Sequence, residues 1–436
     1  MRIRKFVASA AIGVLGIAVT ACSEPTRSGS NGGSSTTAAA GVDCVETKPV
    51  VECAPEGSML APYLPDQPER ATESPIRIGT INQDTGAAGA FPLLTTADKV
   101  AIDFINTELG GIEGHPIELL TCNTNFNPDL SQSCAQEMVT AKVPVVVGGI
   151  DIWGTGITTL EKNGIPYVGG IPVSFEAARS PISFQFSGGT WGAVLGMGQY
   201  AMEELGAKKI AIIYGDFGPI TDSARLGKEA LERQGATVTL VATAPVNPDM
   251  VTALNEAAAA EPDAVIALTA DSGCKPVMLT AKQIGLEAPL FLTGACIAPK
   301  IVESVGDAAK GRIFNVEAVL EPGDPDNELY RQIATRYGAK YDYPVQSEGT
   351  VSFRSVINLY VALREIGYDN ITPQAILAKF RAAKDAPSFF GHPYTCNGEA
   401  LPGYPALCAP QQTLGRLVDG QIEAVSGWID VGSLLK

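Results

Sequence analysis

The sequence predicts an α/β protein of two lobes, each a parallel sheet covered by helices. From Ile76 onward, short apolar strand segments alternate with amphipathic helical segments, which is the pattern of right-handed βαβ units. This pattern occurs as two successive series. The roughly 360 residues involved also exceed what one hydrophobic core usually organises. We therefore expect two Rossmann-like lobes joined by a hinge.

Residues 1–21 have the layout of a secretory signal peptide. Arg2, Arg4 and Lys5 precede an uncharged apolar stretch that is too short for a membrane span. The stretch ends in the letters VTAC, which resemble the bacterial lipoprotein box, and this resemblance implies that Cys22 is acylated and becomes the first mature residue. Two or more acyl chains give stable anchoring, so we expect a protein held on the membrane without crossing it.

Residues 22–75 are predicted to form a flexible tether, because they are rich in Ser, Gly, Thr, Ala and Pro. No second apolar run of about twenty residues follows, so the rest of the chain is expected to be exported and soluble. Without the three signal-peptide bases, 28 basic residues stand against 47 acidic ones, a net charge of −19. Nucleic acid and anionic membrane surfaces are therefore disfavoured as partners.

Eight cysteines besides Cys22 suit an oxidising compartment and are expected to form four local disulfides. Their order along the chain suggests the pairs Cys44–Cys53, Cys122–Cys134, Cys274–Cys296 and Cys396–Cys408. The third pair has a geometric basis, since each of its cysteines follows a strand segment and the ends of adjacent parallel strands lie within disulfide reach. A zinc site is the alternative, although no C-x-x-C spacing is present.

The first lobe is predicted to contain residues 76–188 and 319–385, and the second residues 189–318 and 386–436. Lobe one has the strands IRIGTIN, HPIELLTC, VPVVVGG and IPYVGG, with helices over 94–109, 129–141 and 155–163. Lobe two has the strands KKIAIIYGD, ATVTLVATAP, DAVIALT, PLFLTG and GRIFNVEA, with helices over 191–205, 220–234, 249–260 and 276–284.

The last part of the chain is predicted to return to both lobes. Helical patterns cover 326–341, 350–366 and 372–383, and the second of them has one apolar face. Two strand segments then flank Asp419-Gly420, a strong hairpin signal. We expect these helices to return to lobe one and the hairpin to return to lobe two. The chain then crosses between the lobes three times, and such a connection can act as a hinge.

The order of these motifs resembles the Leu/Ile/Val-type solute-binding proteins of ABC importers, which have the type I periplasmic-binding fold. The resemblance runs from about Ile76 to Trp428 and rests on the segments IRIGTINQDTGAAGAF, ELGGIEGHPIELLTCN and KKIAIIYGDFGPITDSARLGKEALERQGATV. It implies a monomeric, cofactor-free extracytoplasmic protein that captures a small organic solute, such as an amino acid or amide, and delivers it to ABC permease subunits. Together with the signal and lipoprotein box, it implies a lipid-anchored protein of a monoderm, actinobacterial-type envelope.

The glycine-rich stretch VVVGGIDIWGTG lies at the carboxyl end of a predicted strand, where ligands bind in parallel sheets. It lacks both the G-x-G-x-x-G spacing and a phosphate-loop Lys-Ser/Thr, so nucleotide binding is disfavoured. The resemblance implies that backbone amides and small hydroxyl groups of this loop and the next hold a ligand carboxylate. The corresponding residues are Ile150, Asp151, Trp153, Val173 and Ser174. Of these, Ser174 offers a hydroxyl, whereas Asp151 and Trp153 suggest instead a donor-bearing or apolar ligand; interlobe packing is the alternative for Trp153.

The resemblance places further contacts in and beside lobe two. The pairs Asp216-Phe217 and Asp271-Ser272 follow strands, and either aspartate would bind an amino group or cap a helix. The family's own amino-group acid would fall at Gly294-Ala295, where this chain has none. Phe91 corresponds to an aromatic residue that covers the ligand. Thr190-Trp191 begins a helix at the first crossing, and hinge packing is the alternative for Trp191.

Catalytic and metal chemistry are disfavoured. The chain has only two histidines, His115 and His392, and both lie in His-Pro turns. No G-x-S-x-G elbow, H-E-x-x-H motif or metal-ligand spacing is present. A closer alternative to the importer subunit is a ligand-sensing receptor of the same fold, because lobe closure presents a new surface to either kind of membrane partner.

Overall fold

The computed structural model describes residues 44–436. The predicted signal peptide, Cys22 and residues 22–43 of the predicted tether lie outside the described residues. Two sheets with helices on their faces form the two predicted lobes. All ten predicted helices are present, with ends that differ from the prediction by a few residues. In the part of the chain that the structure describes, no helix is both long and apolar enough to span a bilayer.

Lobe one is built on a five-stranded parallel sheet of order β2-β1-β3-β4-β5. The strands are β1 (Ile76–Asn82), β2 (Ile117–Asn123), β3 (Val146–Gly148), β4 (Tyr167–Val168) and β5 (Ser183–Phe184). The helices are α1 (Val50–Cys53), α2 (Pro92–Glu108), α3 (Pro128–Thr140), α4 (Thr155–Lys162) and α5 (Phe175–Arg179).

Lobe two is built on a seven-stranded sheet of order β12-β11-β10-β9-β8-β6-β7. Its strands are β6 (Lys209–Gly215), β7 (Thr237–Thr243), β8 (Ala264–Leu268), β9 (Leu290–Leu292), β10 (Ile313–Asn315), β11 (Leu414–Val418) and β12 (Gln421–Ala424). Its helices are α6 (Gly189–Glu203), α7 (Gly218–Arg233), α8 (Met250–Ala259), α9 (Asp271–Gln283) and α10 (Pro299–Val305). All five residues of β8 are buried, because helices cover both faces of the sheet.

The predicted hairpin forms the antiparallel edge of the lobe-two sheet. Strand β11 pairs with β10 and β12 pairs with β11, both antiparallel. Between them Asp419 and Gly420 have φ angles of 46° and 83°. Two positive φ angles are what a type I′ turn requires, and the Asp-Gly pair supplies them. The hairpin prediction is therefore confirmed.

The returning helices α11 (Pro325–Gly338), α12 (Gly349–Ile366) and α13 (Pro373–Arg381) pack on lobe one. The sequence predicted one buried face for α12, but polar side chains outside that face are buried as well, including Ser352, Arg354 and Asn358. Helix α12 is enclosed because it packs against α2 on one side and approaches β3 and α13 on others. The apolar pattern alone could not reveal this.

The expectation of a flexible tether is wrong for residues 44–75, which pack on lobe one. Val45, Val50 and Leu60 are buried in its core. The hydroxyl of Ser58 donates to a carboxylate oxygen of Asp326 at 2.6 Å. Buried apolar side chains and the first disulfide thus outweigh the proline- and glycine-rich composition that suggested a flexible segment.

The third crossing lies later than predicted. Phe389, Phe390 and Tyr394 belong to the core of lobe one, although the sequence analysis assigned residues 386–436 to lobe two. Tyr404 and Leu407 pack in lobe two. The aromatic side chains explain the difference, because they fill space beside the α11 and α12 aromatics of lobe one.

The four predicted disulfides are confirmed: Cys44–Cys53, Cys122–Cys134, Cys274–Cys296 and Cys396–Cys408. The third joins the start of α9 to the turn after β9, and β8 and β9 are adjacent parallel strands, as the geometric argument required. Within residues 44–436, no group of three or more His, Cys, Asp or Glu side chains is arranged to hold a metal ion.

Candidate ligand-binding cleft

A cavity of about 160 Å³ lies between the two lobes. Residues that follow the carboxyl ends of β1, β3 and β4 line it from lobe one, and residues at the ends of β6, β8 and β9 line it from lobe two. This is where ligands bind in open parallel sheets. An apolar cavity of about 150 Å³ accommodates benzene. The space therefore suits a solute about the size of one ring or one branched side chain.

The lobe-one wall is apolar. Phe91, Ile150 and Val173 are buried side chains that pack together there, and Ile152 and Ile171 join them. Burial of such side chains against a solute is favourable at about 25 cal/mol per Å² of apolar surface removed from water. These five side chains can therefore supply binding energy, but they offer the solute no hydrogen bond.

The glycine-rich stretch brings two loops into close contact. A Cβ atom added at Gly148 would collide with the carbonyl of Gly169, and one added at Gly149 would collide with the side chain of Asn82. The absence of a side chain at Gly148 therefore lets the β3 and β4 loops pack side by side, and its absence at Gly149 leaves room for Asn82 at the end of β1. The stretch serves this packing, and its sequence lacks the residues of a phosphate loop.

Two backbone amides of these loops donate within the protein. The Ile150 amide donates to Asn82 Oδ1 at 3.0 Å. The Ile171 amide donates to the Gly149 carbonyl at 3.0 Å. The resemblance implied that amides of these loops hold a ligand carboxylate, but these two are already satisfied.

The lobe-two wall combines apolar side chains with hydroxyl groups. Phe217, Pro245 and Met250 supply apolar surface, and Thr243, Thr269, Ser272 and Thr293 supply hydroxyls. The Thr293 hydroxyl donates to the Thr269 carbonyl at 2.6 Å. Asn315 adds one amide side chain. The described residues around the cavity include no lysine or arginine, and their only carboxylates are Glu317 and Glu348.

Glu317 connects the three crossings between the lobes. It lies in the second crossing, and its carboxylate accepts hydrogen bonds from the Gly188 amide of the first crossing at 3.0 Å and from Gln412 Nε2 of the third at 2.5 Å. The Arg354 guanidinium of α12 forms a 4.0 Å ion pair with this carboxylate and donates to the Glu317 carbonyl. Burial raises the pKa of Glu317, and the charge of Arg354 opposes that rise.

Glu348 differs from Glu317 in having a free oxygen. It lies directly before α12, and only 8% of the residue is exposed. Its Oε2 atom is buried and has no hydrogen-bond partner among the described residues. Burial raises the pKa of Glu348 to about 7, and the negative charge of Asp271 on lobe two adds to this effect.

The two lobes touch at the mouth of the cavity. The ring of Phe217 from lobe two lies 5.1 Å from Trp153 and 6.1 Å from Phe126, both of lobe one. The Ala90 amide of lobe one donates to Asp271 Oδ1 of lobe two at 3.3 Å. The structure therefore describes the lobes in contact across the cleft.

Comparison with known proteins identifies the family. A family model described as periplasmic binding protein matches residues 75–400. The chain belongs to the periplasmic binding protein family. The predicted type I periplasmic-binding fold is thereby confirmed, and the protein is a solute-binding protein of that fold. A search of curated proteins gave no significant match.

Solved structures of other periplasmic binding proteins superimpose on most of this one. A leucine-binding protein from Thermotoga maritima has 16% identity and a TM-score of 0.64, covering 80% of this chain and 98% of its own. A fatty acid ABC transporter substrate-binding protein from Thermomonospora curvata has 16% identity and a TM-score of 0.68, covering 84% and 96%. A Rhodopseudomonas palustris solute-binding protein in complex with 3,4-dihydroxybenzoic acid has 20% identity and a TM-score of 0.64, covering 80% and 95%. At these identities the likeness shows the fold and leaves the ligand open.

Six of the predicted contact residues line the cavity of this binding protein. They are Phe91, Ile150, Val173, Thr190, Phe217 and Ser272. The other six do not line it, and each has a partner within the protein. Trp153 packs across the mouth against Phe217, as the packing alternative expected.

Asp151 and Ser174 hold loops and helix ends. The buried Asp151 carboxylate accepts from Ser131 Oγ at 2.8 Å, and backbone amides at the start of α4 also donate to it. The Ser174 hydroxyl caps α5 by accepting from the Ala177 amide at 3.3 Å. Both roles follow from the preference of these side chains for helix N-termini. The sequence analysis expected ligand contacts from both, and the structure does not place them at the cavity.

The remaining three residues lie on lobe two. Trp191 is fully buried, and its Nε1 donates to Asp222 at 2.9 Å. It is therefore a packing residue, but it packs in the core of lobe two, whereas the alternative interpretation expected packing at the hinge. Asp216 accepts from the Thr221 hydroxyl at 2.9 Å, near the start of α7. Asp271 lies at the cleft mouth, where its carboxylate is held by the Ala90 amide of lobe one.

Sequence reasoning missed Glu317 and Glu348, the two carboxylates of the cavity. Glu317 lies two residues after β10, at the second crossing, whereas Glu348 reaches the cleft from the returning chain, directly before α12. One signal was available for Glu348. The polar letters SEGT immediately precede a long apolar helical pattern, and an acid in that position is typical of a helix start.

Proposed function

We propose that this protein is an extracytoplasmic solute-binding lipoprotein that captures a small organic solute between its lobes and delivers it to an ABC importer. One observation carries the proposal. A mostly apolar cavity lies at the strand ends between two lobes that three crossings connect. Such a preformed cavity with few polar groups is typical of small-molecule sites. The solutes named for structural neighbours, from leucine to a fatty acid, are consistent with this use of the fold.

Closure of the lobes provides the mechanism. The solute binds the apolar wall of one lobe, and the contacts of Phe217 with Trp153 and Phe126 then form as the second lobe approaches. Because the solute contacts both walls only in the closed form, it shifts the population toward that form. The closed form presents a joint surface of both lobes, which the permease subunits would recognise.

We place the protein outside the cytoplasm, anchored by lipid on Cys22. The four disulfides support an oxidising location. The test is a Cys22→Ala variant expressed in a Gram-positive host, with Ser23→Ala as the control. We expect the first variant to leave the membrane fraction and the second to remain there. Equal membrane retention of both variants would refute the lipid anchor.

We infer that the bound solute leaves chemically unchanged. Neither histidine lines the cavity: His115 stacks on Tyr368 at 3.4 Å, and His392 packs beside Trp428. The capture function is tested with the full chain in detergent, by thermal unfolding and small-angle scattering with amino acids, amides, aromatic acids and fatty acids. A solute at 100 times its Kd stabilises the protein by about 2.7 kcal/mol. If no solute changes the melting temperature or the scattering curve, or if a solute is converted, the proposal fails.

A further inference from the structure

We propose that Glu348 is a solute-binding residue and that it selects a small apolar amine, meaning a solute with a protonated amino group and no carboxylate. This inference rests on the proposed function, because it assumes that the interlobe cavity is the solute site. It goes further by naming the chemical class of the solute and the residue that recognises it.

The position of Glu348 supports a ligand contact. Its side chain lines the cavity, and only 8% of the residue is exposed, yet the buried Oε2 atom has no partner among the described residues. A buried oxygen without a hydrogen bond is unfavourable, and more so when it is charged. Such groups in native proteins are usually satisfied, so an N–H donor from the solute would supply what the protein itself does not.

The charged and titratable groups around Glu348 favour a cation. Asp271 faces it from lobe two, and Glu317 lies in the same lining. Tyr343 lies near it on lobe one and is itself buried. Arg354, which is buried behind Glu317, is already engaged by that carboxylate. An ammonium group of the solute would therefore meet the Glu348 carboxylate in a surrounding of negative charge, without competition from a lysine or arginine among the lining residues that the structure describes.

A carboxylate on the solute has no comparable partner. Among the described residues, no lysine or arginine lines the cavity. The Ile150 and Ile171 amides donate within the protein. The wall beside them consists of isoleucine, valine and phenylalanine side chains. An ionised carboxylate placed there would lose its hydration without replacement, which is strongly unfavourable.

An ammonium group also fits the polar atoms near Glu348. It has three N–H donors, and the Thr350 and Ser272 hydroxyls line the same cavity as the Glu348 carboxylate. The rest of the solute then lies against the apolar wall of lobe one. Burial raises the pKa of Glu348 to about 7 in the empty cavity, so a bound cation would replace a proton near neutral pH.

The test compares solutes that share one apolar body. The full chain in detergent is titrated calorimetrically with benzylamine, benzyl alcohol, benzoate and phenylalanine, and with isoamylamine, isoamyl alcohol, isovalerate and leucine, at pH 6 and pH 8. The variants are Glu348→Gln, which keeps the shape and removes the charge, and the exposed Glu321→Gln as control. Circular dichroism verifies that each variant is folded.

We expect the amines to bind more tightly than the other members of each set. Glu348→Gln should weaken amine binding by about tenfold to a hundredfold, as expected for the loss of a charge-assisted hydrogen bond. Glu321→Gln should change nothing. Amine affinity of the wild type should increase from pH 6 to pH 8, as Glu348 loses its proton, while that of Glu348→Gln should stay constant.

Two results would overturn the inference. If carboxylate-bearing or neutral solutes bind best and Glu348→Gln leaves their affinity unchanged, the amine assignment is wrong while the capture function stands. If no member of either set binds, but amides, aromatic acids or fatty acids raise the melting temperature, the amine assignment is again wrong and the capture function again stands. Failure of every solute in both experiments would refute the capture function as well.

Discussion

Replacement of Glu348 by glutamine should make the ligand-free protein more stable at alkaline pH. The pKa of this carboxyl rises from its ordinary value of 4.5 to about 7 on folding, chiefly because burial disfavours the charged form. Between these two values the folded state binds more protons than the unfolded state. Stability contributed by the protonated carboxyl is therefore fully present below pH 4.5 and is lost as the pH rises through 7.

The size of the effect follows from the two pKa values. At about 1.4 kcal/mol per pH unit, the difference between 4.5 and about 7 corresponds to about 3 kcal/mol of lost stability above pH 7. Glutamine has the same shape and does not ionise, so the variant avoids this loss. Relative to wild type, Glu348→Gln should thus gain about 3 kcal/mol between pH 4.5 and pH 8.

Urea unfolding of the ligand-free full chain at pH 4.5, 6, 7 and 8 measures this difference. Other buried carboxyls, such as Asp98 and Asp151, titrate alike in both proteins and cancel in the comparison. The exposed Glu321→Gln variant should track the wild type at every pH. A difference between Glu348→Gln and wild type that stays constant with pH would refute the argument from burial.

Three further predictions concern stability and are measured by urea unfolding at pH 7. Leu60→Ala should lower the free energy of unfolding by about 2–5 kcal/mol, because Leu60 is fully buried; a loss under 1 kcal/mol would mean that the N-terminal segment is not part of the lobe-one core. Replacing both Cys274 and Cys296 by serine should lower it by about 3 kcal/mol for their loop of 22 residues, and an unchanged midpoint would contradict this. Arg354→Met should lower it by about 3–5 kcal/mol, since Glu317 then remains buried and unpaired, and the additional change Glu317→Gln should restore part of the loss.

The two lobes were predictable because their signals are local. Buried strands read as continuous apolar runs, as in the AVIAL of β8, and the long helices have their own periodicity over as many as 18 residues. The disulfides were predictable for a similar reason, since each joins cysteines that are 9–22 residues apart. Such features need no knowledge of distant contacts.

The N-terminal segment and half of the site were not predictable in this way. Leu60 looks like one apolar residue in a polar stretch, and only its contact with lobe one gives it a core position. Asp151 has the residue type of a ligand contact, but its oxygens are used by Ser131 and the α4 amides. Glu348 reaches the cavity only because the chain returns to lobe one after the second crossing. All three depend on contacts between residues far apart in sequence.

The meeting of all three crossings at one carboxylate gives the lobes a common pivot. Gln412 contacts that carboxylate, yet it does not line the cavity. A substitution at Gln412 could thus bias the balance between open and closed forms while the walls that meet the solute stay intact. Because apparent affinity scales with the population of the binding-competent form, such a change would retune affinity without altering selectivity. In a solute sensor built on this protein, substitution at Gln412 alone could therefore adjust the range of solute concentrations that the sensor detects.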